Sequence, residues 1–267
     1  AADAVPLHLR RRSGAGVAAL LAHGITGHWE TWAGLMHAMP DDWDVIAADA
    51  RGHGESGRSP AYRYQQLSGD VARICTQLGL GAPALIGLSM GAATIAACAA
   101  DNPDLPSCIV LEDPPWRQVE PTVAEQNKRA TVWRQELEVQ QRGTIEERIS
   151  VLEEVRPGWS PSQRRQCAAA EQATDPAVIG LVGAGTPHWR STVAAIACPV
   201  LLICGDPVRG AIVTPEAAAE VQRINRLVEV VTLSAGHTIH SDASTDYTQA
   251  VIGFVRRHGQ TQSAAAR

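Results

Sequence analysis

Short apolar runs alternate with longer segments of helical pattern along most of the chain. Six runs have strand length, and they lie at residues 17–21, 45–48, 84–88, 109–111, 200–204 and 228–233. Segments such as 64–80 and 215–225, which show a helical pattern, separate most of them. Buried strands that alternate with helices are typical of a parallel sheet covered on both faces. The pattern therefore predicts an α/β fold built on a largely parallel sheet.

The alternation stops between residues 114 and 189. Charged and Gln-rich helical segments, such as 124–142 and 144–155, dominate this region, and it contains no clear strand. We interpret it as a helical insertion over the carboxyl edge of the sheet. The predicted organisation is thus a core domain of residues 1–113 and 190–267 and a helical cap of residues 114–189.

Composition narrows the classes of partner. The 267 residues carry a net charge of -5, with acidic and basic residues interspersed, so neither nucleic acid nor a membrane surface is an expected partner. The longest apolar runs are far shorter than the ~20 residues that span a bilayer. The six cysteines form no CxxC pair, which is typical of small buried residues in a reducing compartment. We therefore expect a cytoplasmic monomer or homodimer whose partner is a small molecule.

The most informative motif is Gly-Leu-Ser-Met-Gly at residues 87–91. An apolar run of strand length leads into it, and a helical segment of small residues follows. Its glycines let the chain turn through a strained corner, and a turn of this kind lifts the serine hydroxyl above the sheet edge. Ser89 is therefore the candidate nucleophile.

A nucleophilic serine needs a base, and the base needs an acid that orients it. His237 lies in the loop after the apolar run 228–233 and is the candidate base. Asp206 lies directly after the run 200–204, which gives the order serine, aspartate, histidine along the chain. Asp206 is therefore the first candidate for the acid.

Backbone donors for an oxyanion, and residues that could contact a substrate, can also be chosen from the sequence. The loop His-Gly-Ile-Thr-Gly at residues 23–27 allows the N–H of Ile25 to face the site together with the N–H of Met90. Gly24 in that loop is a candidate substrate contact. Trp29, Trp116 and Trp133 are candidates for the pocket wall, with burial in the core or cap as the alternative.

Six motifs occur in order along almost the whole chain: HGITG at 23–27, DARGHGES at 49–56, GLSMG at 87–91, LEDPP at 111–115, ICGD at 203–206 and SAGH at 234–237. In these motifs the chain resembles proteins of the α/β-hydrolase fold. The resemblance implies an eight-stranded, mostly parallel sheet, a nucleophile elbow at Ser89 and an oxyanion hole from Ile25 and Met90. It also implies a cap after Glu112 and chemistry that needs no cofactor.

The resemblance leaves the triad acid open. Many relatives place this carboxylate three residues after the strand-end glycine, where the present chain has Val208. Other relatives carry it after the sixth strand, in the slot that Glu112 occupies here. Asp206 and Glu112 are therefore alternative acids, while Asp113 is expected to accept hydrogen bonds from loop N–H groups.

The leading functional hypothesis is hydrolysis of a carboxylic ester or lactone of a medium-sized hydrophobic molecule, through an acyl-enzyme on Ser89. Carbon–carbon bond hydrolysis, acyl transfer and perhydrolysis with the same triad are alternatives, as is a ligand receptor without catalysis. The sequence has no metal-ligand spacing, phosphate-binding glycine loop or dinucleotide fingerprint. We therefore expect no metal and no cofactor.

Overall fold

Seven strands form one sheet in this computed structural model, which describes residues 4–186 and 188–260. Their order across the sheet is β1-β3-β2-β4-β5-β6-β7. All neighbours are parallel except β1 and β3, which are antiparallel. The strands are β1 Leu9–Arg12, β2 Ala18–Ala22, β3 Asp44–Ala48, β4 Ala84–Leu88, β5 Cys108–Glu112, β6 Val200–Cys204 and β7 Val228–Thr232.

The described sheet is one strand smaller than the eight that the resemblance implied. Residues 4–8, which precede β1, bond to loops instead of extending the sheet. The N–H of Gly57 donates to the carbonyl of Pro6 at 2.8 Å, and the N–H of His8 donates to Ser56 Oγ at 2.9 Å. Pro6 itself has no N–H to offer to a strand ladder. The α/β-hydrolase architecture is otherwise as expected.

Eleven α-helices lie within the described ranges, and most of them connect consecutive strands. They are α1 Ala33–Ala38, α2 Tyr64–Gln77, α3 Met90–Asp101, α4 Val123–Arg142, α5 Ile145–Val155, α6 Pro161–Gln172, α7 Gly180–Ala184, α8 Trp189–Ala195, α9 Pro215–Ile224, α10 Ile239–Asp242 and α11 Ser244–His258.

The two faces of the sheet bury separate apolar layers because side chains alternate along a strand. In β4, Leu85 contributes to the layer that includes α2, α3 and α9, while Ile86 contributes to the layer that includes α1 and α11. Each fully buried side chain of this size contributes roughly 1.5–3 kcal/mol relative to exposure. The sheet is therefore a rigid platform for the loops at its carboxyl edge.

Helices α4, α5 and α6 come from the polar region of the chain, and each begins with a capping box. Thr122, Thr144 and Ser160 accept the backbone N–H three residues later, and Glu125, Glu147 and Gln163 bond back to the cap N–H. An N-cap of this kind is worth about 1 kcal/mol. Capping thus supports helices whose apolar faces are narrow. In the described part of the chain, no helix has the length and apolarity that crossing a bilayer would require.

Candidate active site

Ser89 lies at the turn between β4 and α3, in a left-handed backbone conformation with φ 51° and ψ −112°. The turn is crowded: a Cβ on Gly91 would lie 2.1 Å from the carbonyl oxygen of Ala22, and one on Gly87 would lie 2.5 Å from the backbone of Gly91. The N–H of Ser89 donates to the carbonyl of Glu112 at 2.9 Å. The glycines are therefore a steric requirement of a strained serine turn.

The residue that partners the candidate base is Asp113. His237 Nδ1 lies 2.6 Å from Asp113 Oδ2, and the Asp113 carboxylate is fully buried. The same carboxylate accepts the N–H groups of Ile212, at 2.8 Å, and Val213, at 2.9 Å. The sequence-based expectation that Asp113 accepts loop N–H groups is correct, but it omitted the histidine. Since Nδ1 faces the carboxylate, Nε2 is the ring nitrogen left for proton transfer.

The expectation that Glu112 orients His237 is wrong, and strand alternation gives the reason. Glu112 ends β5 on the face of Cys108 and Val110, which is the layer of α1 and α11. Its buried carboxylate accepts the backbone N–H of His240 at 2.9 Å and lies 2.9 Å from His240 Nδ1. Asp113 leaves the strand with φ 40°, and its side chain meets His237 instead.

Asp206, the other predicted acid, also lies away from His237. It precedes a short 3₁₀ helix, where its carboxylate accepts the N–H of Val208 at 2.9 Å. Its side chain is 42% exposed and lies 3.9 Å from Arg209. The carboxylate is thus used to cap a surface turn. Val208, in the slot where many relatives carry the acid, is 94% exposed.

The loop 23–27 lies beside Ser89, since a Cβ on Gly24 would stand 3.5 Å from Ser89 Cβ. His23 braces this loop: its Nδ1 lies 2.7 Å from the carbonyl of Gly24, and its Nε2 accepts the N–H of Ala50. His53 Nε2 accepts the N–H of Thr26 at 3.3 Å. Among the described residues, the N–H groups of Ile25 and Met90 have no acceptor.

Both bracing histidines are buried and lie edge to face, with ring centroids 4.9 Å apart. Burial lowers the pKa of His23 from 6.5 to about 4, and burial lowers the pKa of His53 to about 3. Both rings are therefore neutral near pH 7, which suits nitrogens that accept backbone N–H groups.

A second brace is the buried carboxylate of Asp49, which follows β3. Its Oδ1 accepts the N–H of Trp29 at 2.7 Å, and its Oδ2 accepts the N–H of Glu55 at 3.1 Å. His8 Nδ1 lies 2.8 Å from the same Oδ2. One side chain thus fixes the N-terminal segment, the chain after the loop 23–27 and the turn after β3.

Ser89 and His237 line one cavity of about 410 Å³, together with Ile25 and Met90. Helices α4 and α7 and the segment after β5 supply most of the remaining wall. Its apolar part includes Trp133, Leu181, Val182 and Ile212. Its charged and amide part includes Arg117, Glu120, Glu125, Gln126 and Arg129.

The four residues predicted to contact a substrate fall into two groups, those near Ser89 and those packed elsewhere. Trp133 lines the cavity, and Gly24 lies beside Ser89 without lining it. Trp29 packs against the layer of α1 and α11, and Arg10 lies 5.6 Å from its ring. Trp116 is buried and stacks on Trp189 with ring centroids 5.7 Å apart. The expectations for Trp29 and Trp116 as pocket walls are therefore wrong, because both rings are used in packing.

Sequence reasoning missed the pairing of Asp113 with His237 and the two arginines of the cavity. For Asp113 a signal existed: the alternation along β5 places residue 112 on the face of Cys108 and Val110, so residue 113 falls on the opposite side, where it can meet other loops. For Arg117 and Arg129 the chain gives no pattern that separates them from solvated charges. Within residues 4–186 and 188–260, no group of three or more His, Cys, Asp or Glu side chains is arranged to hold a metal ion.

Comparison with known proteins gives one family. The family model of the alpha/beta hydrolase fold matches residues 19–244. The chain is 27% identical, over 89% of its length and 80% of the relative's, to an sn-1-specific diacylglycerol lipase of Mus musculus. The enol-lactonase of Burkholderia xenovorans superposes with a TM-score of 0.76 at 24% identity, over 96% of this chain and 99% of that one.

A shorter match links the chain to 2-(acetamidomethylene)succinate hydrolase of Mesorhizobium japonicum, at 35% identity over 104 residues. This match spans 39% of the chain and 37% of that relative. The match to a second relative spans 30% of that second relative's length. These partial matches cover only about a third of the relatives concerned.

Proposed function

Because the chain belongs to the alpha/beta hydrolase fold family, we propose that it is a serine hydrolase that cleaves a carboxylic ester or lactone through an acyl-enzyme on Ser89. His237 is the base and Asp113 is the acid that orients it. The backbone N–H groups of Ile25 and Met90 stabilise the oxyanion.

The observation that carries the proposal is the 2.6 Å contact between His237 Nδ1 and Asp113 Oδ2, on a histidine that shares a cavity with Ser89. A buried carboxylate at Nδ1 fixes the imidazole tautomer and favours the imidazolium that forms when Nε2 takes a proton. The strained backbone at Ser89 is the conformation that a nucleophile elbow needs.

The proposed reaction has two steps. In the first, Ser89 Oγ attacks the acyl carbon while His237 Nε2 takes the hydroxyl proton, and the same proton is then given to the departing alcohol. In the second, His237 takes a proton from water, which attacks the acyl-enzyme and releases the acid. Each oxyanion donor contributes roughly 3–4 kcal/mol to the transition state.

The relatives support a hydrolase, since their names include a lipase, a lactonase and a succinate-derivative hydrolase. The cavity of about 410 Å³ suits a substrate of medium size. Apolar side chains such as Trp133 and Leu181 supply one side of its wall. The substrate is therefore proposed to be a medium-sized molecule that is at least partly apolar.

The proposal is tested with a series of 4-nitrophenyl esters of increasing chain length and with a fluorophosphonate label followed by intact mass and peptide mapping. Wild type should turn over esters and take up one label at Ser89, whereas Ser89→Ala should do neither. Ser191→Ala, an exposed serine of α8, is the matched control and should retain both.

Two results would count against this function. Labelling of a serine other than Ser89, or full turnover by Ser89→Ala, would exclude the covalent mechanism. Ligand-induced stabilisation without labelling or turnover would favour a receptor built on this fold.

A further inference from the structure

Two cationic side chains line the cavity that contains Ser89. Arg117 comes from the segment that follows β5, and Arg129 comes from the cap helix α4. They approach the cavity from two different elements of the chain. Their positions place positive charge within the space that a substrate would occupy.

Arg117 differs from the other half-buried or buried arginines of the fold in its ion pairing. Most of those have a carboxylate within 4 Å; examples are Arg51 with Asp70, at 2.7 Å, and Arg148 with Glu171, at 2.5 Å. Across the described ranges, neither Arg117 nor Arg129 forms an ion pair or a side-chain hydrogen bond. A half-buried guanidinium without such a partner is costly unless a ligand supplies one.

The electrostatics of the cavity agree with this geometry. Burial lowers the pKa of Arg117, and the charge of Arg129 is the next largest cause of the decrease. The two guanidinium groups therefore repel each other, and the repulsion acts on a half-buried Arg117 from an exposed Arg129. An anion between them would relieve that repulsion.

No nearby carboxylate of the described residues forms an ion pair with either arginine, although the charges of Glu120 and Asp113 oppose the decrease in the pKa of Arg117. Asp113 is engaged by His237, Ile212 and Val213, and Glu125 is held in the capping box of α4. Glu120 has no ion pair within 4 Å with either arginine. Burial raises the pKa of its carboxyl, while the charges of Arg190 and Arg117 act to lower that pKa. Among the described residues, neither arginine of the cavity therefore has a carboxylate paired directly with its guanidinium.

The backbone that carries Arg117 is held in place. Trp189 Nε1–H donates to the carbonyl of Arg117 at 3.1 Å, and Thr186 Oγ1–H donates to the carbonyl of Pro115 at 2.9 Å. Trp116 stacks on Trp189 and is buried. This packing holds the backbone at Arg117 in place. Less conformational entropy is then lost when the Arg117 side chain binds a ligand.

We propose that Arg117, assisted by Arg129, binds a carboxylate of the substrate, so that the preferred substrates are esters or lactones that also carry a free acid group. The inference rests on the proposed serine hydrolase function, since it assigns the substrate class of that same site. A guanidinium suits this role because its donors match the two oxygens of a carboxylate. The apolar wall then contacts the rest of the molecule.

The experiment compares mono-4-nitrophenyl glutarate with 4-nitrophenyl methyl glutarate, in which methylation removes the negative charge of the free acid. Wild type should prefer the free acid in kcat/KM. Arg117→Gln should lower the ratio of kcat/KM on the free acid to kcat/KM on the methyl ester by roughly 10- to 100-fold, as expected for the loss of a hydrogen bond to a charged group. Arg129→Gln should show a smaller loss of the same kind. Arg142→Gln, an exposed arginine at the end of α4, is the charge-matched control.

A second measurement separates this inference from the catalytic one. Glutarate should raise the melting temperature of Ser89→Ala, and Arg117→Gln in the same background should abolish the increase. If Ser89 is labelled and both esters react equally well without an effect of Arg117→Gln, the carboxylate site is wrong while the hydrolase proposal stands. If Ser89 is not labelled but glutarate stabilises the protein through Arg117, the hydrolase proposal fails and the anion site stands. Should Arg117→Gln not fold, Arg129→Gln, whose side chain is exposed, decides between these outcomes.

Discussion

Two adjacent carboxylates, Glu112 and Asp113, each lie against a histidine of the segment that follows β7. Glu112 binds His240 from the face of β5 that packs against α1 and α11, and Asp113 binds His237 from the left-handed turn that follows. Sequence alone was enough to select Ser89 and His237 as candidates, because each lies in a short local motif. The acid could not be chosen in the same way, because its partner depends on the direction in which the chain leaves the strand.

At the residue scale, Asp113→Asn should lower kcat on 4-nitrophenyl esters by about 10³–10⁴-fold, because an amide holds the wrong imidazole tautomer. Asp206→Asn is the matched control and should stay within about twofold, since its carboxylate only caps a surface turn. Initial rates under saturating substrate measure both. A large loss in Asp206→Asn with an active Asp113→Asn would reverse the assignment of the acid.

Glu112→Gln should destabilise the fold by about 1–3 kcal/mol, because His240 would lose a charged hydrogen-bond partner in a buried site. Urea unfolding gives the difference in free energy. Glu229→Gln removes a half-exposed partner of Arg257 and should cost less than about 1 kcal/mol. Equal effects of the two substitutions would show that the buried pair contributes no more than a surface one.

At the scale of elements, the apolar pattern located six of the seven described strands and the principal helices. The strand that it missed is β1, Leu9–Arg12, whose sequence is Leu-Arg-Arg-Arg. This strand pairs only with β3 and therefore lies at the sheet edge, where charged side chains are favoured over apolar ones. Arg11 forms an ion pair with the buried Asp44 of β3 at 2.6 Å. Pairing, and not hydrophobicity, makes this segment a strand.

The crowded turn at Ser89 leads us to expect that glycine is required at residue 91. Gly91→Ala should destabilise the protein by more than about 1–3 kcal/mol or prevent folding, because its Cβ would collide with the backbone of β2. Gly69→Ala, in α2, is the control: a Cβ there meets nothing within 4 Å, so the variant should be stabilised by up to about 1 kcal/mol. Urea unfolding and soluble yield measure both. A Gly91→Ala protein as stable as wild type would contradict this packing.

At the scale of the whole molecule, the candidate site lies where strand ends and loops meet the helices α4 and α7. The family motifs marked the strained turn at Ser89 and the neighbouring loop 23–27, because each is coded in a short stretch of sequence. The cavity wall draws instead on α4, on α7 and on the segment after β5, which are distant in sequence. Which charges of a polar helix face a cavity depends on tertiary packing, so Arg129 could not be told apart from solvated neighbours such as Lys128.

Stability should depend on pH through the two buried histidines. Their folded pKa values, about 4 for His23 and about 3 for His53, lie below the ordinary value of 6.5. The unfolded chain therefore binds more protons below about pH 6.5, so the free energy of unfolding falls as the pH decreases from 6.5 toward 4. His53→Gln should reduce proton uptake on unfolding by about one proton near pH 4.5. Urea unfolding across this range measures the slope, with His37→Gln, on the exposed side of α1, as the control for removing an imidazole. An unchanged slope in His53→Gln would rule out a neutral buried ring.

The Asp49 carboxylate has a consequence for how sequence variation would act on this protein. It bonds at once to His8, to the N–H of Trp29 and to the N–H of Glu55, three points that are far apart along the chain. Substitutions in these three segments share one partner and so should not have additive effects. We therefore expect epistasis in the evolution of the chain next to Ser89. Whether a substitution that reshapes the candidate site is tolerated should depend on the residue at position 8, which lies outside the cavity.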